Sequence, residues 1–594
     1  MIQSIHRFLF LLLASSFILF SSCSKEKELD FIMTDCNEVA KAFQYFETLS
    51  NDRNYVSRYE IQDDCFVFYL NTNEIVALPD KCIDDYSENP ATSQLTITFN
   101  EGSVLTLTYG SLLELDFTYN PYKHTPLSGL IELQTDKAGL LKIIIEHKDP
   151  EKGEFIKTFS HPGGFREYPV LGLFFSHMNT LTFQYVIDGT IVYSDIYEVP
   201  VGDPPDYLPE IIIDVVKEDK MTLGMHLVSY RSKGNPTVAF MFDNDGEVRW
   251  LLDYTNHPDL SWLNFDVGME RLRNGNWYFG NWPSQNLYEA DMTGQIINQW
   301  DIPGYEFHHN IQEKENGDFL VTATKWGSKH ENDLWAIEDH ILELDRLSGN
   351  IKTVWDLKES LDESRRSLGT DEFQGVIDWI HVNAVQEDPR DNTIIVSSRF
   401  QGIFKLDYNN NVKWILSPPR GWETNGRGED LNPYLLTPVD ASGQLIADAK
   451  IIEGVENHGD FEYPWMQHAH FIHPNGNLFM FDNGDRRNYD FREIYSRAVE
   501  YEIDEVNMTA RQIWQYGKER GTNTFSRIVS DVDHHPDKNN ILFSPGAWVD
   551  NGNGTLGGKI IELNYDTKEV VFEARLNAPG IVFHRVERLS LYPE

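Results

Sequence analysis

Three histidines stand at matching places in a repeated strand pattern. His309 lies seven residues before Asn316, His468 lies seven before Asn475, and His381 lies nine before Arg390, each ahead of a strand of the same kind. Arg399 ends the third of these strands. A single imidazole of this sort is more often a packed or solvated residue than a reactive one. Three from separate repeats, joined by a guanidinium, are hard to explain by packing. Fixed cations and donors at one point suit chemistry on a group bearing negative charge, because they stabilise charge where it develops. His470, His473 and the His534–His535 pair read instead as strand or turn residues.

The element that must position these side chains recurs six times. The copies are AFMFDNDGEVRWLLD (239–253), LYEADMTGQIINQWDI (287–302), ILELDRLSGNIKTVWDL (341–357), IFKLDYNNNVKWILSP (403–418), AVEYEIDEVNMTARQIWQYG (498–517) and IIELNYDTKEVVFEARL (560–576). Each has an alternating apolar strand, a turn of Asp, Asn and Gly type and a second strand, mostly with Trp near its end. Repeated strand sets of this kind predict a six-bladed β-propeller over 215–594. A propeller aims residues near its innermost strands at the central channel. The final strand, HRVERLSLY, is expected to complete a blade begun near Gly224–Arg231, which leaves no open edge. Asp482-Asn483-Gly484 and Asp243–Gly246 read as turns, since the twelve-residue calcium pattern is missing.

Ahead of the propeller, 30–51 has helical spacing in a small region over 23–90. Short alternating strands over 91–205 predict an Ig-like sandwich, so the fold class is all-β. The Pro-rich stretch 199–209 is the best domain boundary. Residues 1–22 read as a signal peptide ending at a lipobox-like Ser-Ser-Cys, with Cys23 as lipid attachment site. The expectation is an exported protein anchored to the outer membrane by lipid alone, with no other apolar stretch able to span a bilayer. Of Cys36, Cys65 and Cys82, one pair is expected to be bridged and one thiol left over. A net charge of −43 excludes nucleic acid as a partner, since no basic surface offsets phosphate repulsion.

At this point the residues resemble a known family, the bacterial aryl-sulfate sulfotransferases, which move a sulfuryl group between phenols without a nucleotide donor. The resemblance runs from about Asn120 to the C-terminus. It rests on NPYKHTPLSGLIEL (120–133), YPVLGLFFSHMNTLTF (168–183), FHHNIQEKENGDFL (307–320), DWIHVNAV (378–385), SSRFQGIFKLD (397–407), QHAHFIHPNGNLFMFDNG (467–484) and FHRVERLSLY (583–592).

The resemblance implies that His468 is the nucleophile, transiently sulfated, with His381, Arg399, Asn383 and one histidine of the His308–His309 pair around the sulfuryl group. The repeat alignment favours His309, which matches His468, and pairs His308 with the position of Gln467, both read as substrate-side supports. The implied partners are a small phenolic donor and a small phenolic acceptor, and the resemblance leaves room for a homodimer. No cofactor and no metal are implied.

Two other classes compete, a binding propeller and a different propeller enzyme such as a metal-assisted lyase or a quinone-dependent dehydrogenase. A lipid-anchored binding propeller would not need Arg399 and three imidazoles on one axis. A metal-assisted lyase would hold its metal through several of these same histidines. A quinone-dependent dehydrogenase would bring eight blades and adjacent cysteines, which this chain lacks.

Overall fold

In the computed structural model the described residues run from 31 to 593, apart from 51–55, 71–74, 90–93, 109–112, 265–266, 552–554 and the single positions 34, 63, 136, 368 and 491. The signal peptide and Cys23 lie outside them. The helical spacing gives a helix at Val39–Ser50, entered through a short turn capped by the Asp35 carboxylate. Its apolar face packs on the sheet that contains Cys65–Leu70 and Ile75–Pro79. Cys36 and Cys82 are bridged across this unit. No free thiol remains among the described residues, so the leftover thiol is not found.

A second difference concerns 91–112. Gln94–Phe99 and Val104–Thr108, expected to open the sandwich, instead form a sheet with Ile83–Asn89, Gln94–Phe99 in the middle, and bury Leu95, Ile97 and Phe99 in the helix-bearing unit. Alternation marks a strand without saying which sheet receives it. The two sheets of the sandwich begin at Leu113–Tyr119 and end with Thr190–Val201.

Among the described residues six sheets then follow one another, one for each repeated hairpin, with a small three-stranded sheet of Trp335–Ala336, Val376–Asp378 and Asp371–Phe373 formed by insertions within and after the third. Val582–Leu589 pairs antiparallel with Met225–Arg231 in the first, and Glu210–Val216 adds the outer strand of the last. Both ends of the ring are thereby sealed against edge pairing. The recurring Trp has a defined role. Trp250, Trp300, Trp355, Trp414 and Trp514 each donate the indole N–H to the next hairpin's turn, at 2.7–3.1 Å. Each indole thus buries its rings between sheets while its one donor is satisfied. The sixth hairpin has Phe572 in place of Trp.

Candidate active site

In four of the six sheets the innermost strand loses register at or beside a histidine. Tyr305–Glu313 slips between Phe307 and Ile311, around His308 and His309. The strand that follows His381 slips between Val382 and Ala384, and His468–Ile472 slips between His468 and Phe471. Val582–Leu589 slips opposite Val228 and Tyr230, around His584. A bulge adds residues to one strand and re-aims a side chain that regular alternation would send into a sheet face. His309 and His381 also hold left-handed φ values of 58° and 53°. Such a conformation costs a non-glycine residue about 1–3 kcal/mol and persists where the surroundings enforce it. Around His309, Thr322 Oγ1 bonds the His308 carbonyl and the Asn310 N–H, while Gly268 leaves room for the His309 carbonyl, which a Cβ would meet at 2.6 Å.

The bulges bring the imidazoles into one buried cluster. His309 Nε2 is 3.1 Å from His381 Nε2, and His309 Nδ1 is 2.9 Å from His584 Nε2. The ring of His468 stands 6.1 Å from that of His309 and 6.2 Å from that of His584, centroid to centroid. His381 Nδ1 faces two carboxylates, Glu338 Oε2 and Asp378 Oδ2, each at 2.6 Å. Glu338 Oε2 also meets His308 Nε2 at 2.9 Å.

Asn483 orients His468. Its Nδ2 donates to the carbonyls of Ser526 (2.8 Å) and Val529 (3.0 Å), which leaves Oδ1 as the acceptor facing His468 Nδ1 at 2.7 Å. The Met466 carbonyl accepts at the same nitrogen, at 3.1 Å. His468 therefore carries its proton on Nδ1 and its lone pair on Nε2, with the amide orientation assigned from this network.

The environments drive the histidines apart in charge. Burial, then the Arg399 guanidinium, hold His468 well below the ordinary histidine range. Burial and neighbouring imidazoles do the same to His309. For His381 burial also pulls downward, but Glu338 and Asp378 outweigh it and push the pKa up to about 10. The site thus sets a neutral imidazole beside a cationic one, the separation that divides nucleophile from acid. Arg399 is half-buried, with its backbone N–H on the His381 carbonyl at 2.9 Å and its Nε without a partner among the described residues. A half-buried guanidinium with an unused donor suits an anion.

The other expected site residues make contacts with the backbone and with a carboxylate. Asn383 donates Nδ2 to the Gln467 carbonyl at 2.7 Å. Gln467 donates Nε2 to the Ser398 and Gly402 carbonyls, at 2.8 and 3.1 Å. Both amides brace the strands that carry His381 and His468, because bulged strands leave backbone carbonyls in need of donors. His308 Nε2 faces Glu338 Oε2. His470 bonds the Ile395 carbonyl and His534 bonds Asn539, as turn and strand residues do. Sequence reasoning missed His584, Glu338, Asp378 and Asn483. Asp378 stands three residues before His381, a spacing that signals a partner carboxylate.

Comparison with known proteins bears on the family. An arylsulfotransferase family model matches residues 213–580, and an arylsulfotransferase Ig-like domain model matches 117–201. The arylsulfate sulfotransferase AssT of Escherichia coli O6:H1 is 30% identical over 544 residues, which cover 76% of this chain and 88% of that protein. AssT of Lelliottia amnigena is 30% identical over 541 residues, with the same coverage. Among solved structures, virginiamycin B lyase from Staphylococcus aureus matches 62% of this chain and 99% of its own at 9% identity and a TM-score of 0.30, too remote to carry an argument. On the two family-model matches and 30% identity across most of its length, the chain belongs to the arylsulfotransferase family and is a transferase.

Proposed function

We propose that the chain moves a sulfuryl group from a phenolic sulfate ester to a phenolic acceptor by two in-line displacements through a sulfohistidine on His468, with no nucleotide sulfate donor. One observation carries this reading: a neutral, buried His468, its Nδ1 committed to Asn483, stands in one imidazole cluster with a cationic His381 and within the electrostatic reach of Arg399. In the first step His468 Nε2 attacks sulfur, the S–N bond forms and the S–O bond to the aryl group breaks. Negative charge grows on the equatorial sulfuryl oxygens, where Arg399 and His381 supply donors. The departing phenolate takes a proton from the His309–His381 pair. In the second step an acceptor phenol returns that proton, its oxygen attacks sulfur, and the S–N bond breaks. Two displacements through a covalent intermediate give ping-pong kinetics. The protein would work after export, tethered to the outer membrane through Cys23.

The test is direct. Incubation with 4-nitrophenyl sulfate and phenol should release 4-nitrophenol in step with phenyl sulfate formation. With donor alone, mass spectrometry should find one sulfuryl group on the peptide that contains His468. Transfer by a His468→Asn variant, with no adduct in the wild type, would overturn the reading. A metal-assisted reaction is the second reading, because His308, His309 and His381 offer ligand atoms within 4.8 Å of one another. Chelator treatment separates the two: transfer should persist after exhaustive dialysis against EDTA.

A further inference from the structure

His584 has no part in the two displacements, yet it is buried inside the same cluster. It arrives on the chain's last strand, and that strand is bulged where it passes the site, as are the strands of His309, His381 and His468. Its ring stacks on that of His309 with centroids 4.7 Å apart, and its Nε2 lies 2.9 Å from His309 Nδ1. Burial, then the Arg585 guanidinium, hold it neutral.

The tautomers around it follow by elimination. A cationic His381 has an N–H on each ring nitrogen. The Nδ1–H meets Glu338 and Asp378, so the Nε2–H meets His309 Nε2 at 3.1 Å, which must accept. A neutral imidazole that accepts at Nε2 carries its proton on Nδ1. For His309 that proton points at His584 Nε2. Were His584 instead protonated on Nε2, His309 would hold its proton on Nε2 and set an N–H against the N–H of His381, a repulsive contact.

We propose that His584 is a positioning residue: by accepting from His309 Nδ1 it fixes the tautomer that lets His309 and His381 hold one transferable proton for the phenolic oxygen. The inference rests on the sulfuryl-transfer reading above. As the S–O bond breaks, the proton on His381 Nε2 passes to the phenolate and the pair becomes neutral. The acceptor phenol restores the proton in the second half-reaction, so no other reactant is consumed. Such assistance matters in proportion to the basicity of the leaving oxygen. A 4-nitrophenolate leaves without it, whereas an unsubstituted phenolate does not.

The experiment measures first-half-reaction rates across aryl sulfates of graded leaving-group pKa, in wild type, His584→Phe and His584→Asn. Phenylalanine keeps the stack on His309 and removes the acceptor, while asparagine restores an acceptor. The Phe variant should handle 4-nitrophenyl sulfate within about 3-fold of wild type and lose about 100-fold with phenyl sulfate, a share of the usual general-acid contribution. The Asn variant should recover much of that loss. An equal loss for every leaving group, or none, would overturn the proposal. Should the Phe variant fail to fold, nitrogen-15 NMR of the wild type decides instead: a proton on His309 Nδ1 supports the proposal and one on Nε2 overturns it. Failure of the wild type to turn over any aryl sulfate would sink the sulfuryl-transfer reading itself.

Discussion

Asn483 Oδ1 lies 2.7 Å from His468 Nδ1, while the same amide is pinned by two backbone carbonyls. The imidazole is thereby fixed in tautomer by a neutral group. Asn483→Asp would replace that group with an anion, which favours imidazolium and raises the pKa of His468. The expected result is a new acid limb in kcat/KM, with transfer falling as pH drops through a range where the wild type is flat. The substitution also removes the donor from the Ser526 and Val529 carbonyls. Thermal unfolding should register about 1–3 kcal/mol of lost stability.

Arg399→Lys retains charge but loses the planar fork that grips two oxygens. Turnover of 4-nitrophenyl sulfate should fall by about 100-fold, with an unchanged melting temperature, since the Arg399 Nε bonds no described residue. A change in stability as large as the change in rate would assign Arg399 to the fold instead.

The pH dependence has a definite sign at His381. Its folded pKa is raised from 6.5 to about 10. The stabilisation it shares with Glu338 and Asp378 is therefore fully present below about pH 6.5 and is lost as pH rises through about 10. Urea unfolding at pH 6 and at pH 10.5 should differ more in wild type than in His381→Gln. The rate should show an alkaline limb near pH 10, and Asp378→Asn should move that limb downward by removing one of the two anions.

The Cys36–Cys82 bridge closes a loop over a separation of 46 residues. Loop-closure entropy assigns it about 4 kcal/mol, all of it in the helix-bearing N-terminal unit. Cys36→Ser with Cys82→Ser should make 31–108 sensitive to proteolysis while aryl-sulfate turnover stays within about 2-fold of wild type.

The sequence carried the strands of the ring well, because each hairpin repeats its own turn chemistry. Three site histidines were legible because each precedes a strand with a recurring turn. His584 was not, for a topological reason: the next strand of its sheet is Met225–Arg231, far back in the chain, so no turn follows it to count from. Glu338 sits among 93 acidic residues, and no local pattern separates a carboxylate that will meet a distant imidazole from one that will meet water, whereas Asp378 could have been found from its spacing to His381. Asn483 lies in an Asp-Asn-Gly stretch whose turn reading hides a side chain aimed inward. The recurring strand with the turn, such as Thr393–Ser398, is second in its sheet, and the innermost strand is the one at the histidine.

The strand Val582–Leu589 closes the ring and delivers His584 in the same act. During synthesis it emerges hundreds of residues after the partner it must join. A chain truncated before it would have His309, His381 and His468 on neighbouring sheets, but an open edge between the first sheet and the last and no fourth imidazole. Closure of the fold and maturation of the proton-handling pair are thus one event. A copy whose ring is still open has no competent acid to offer a basic phenolate.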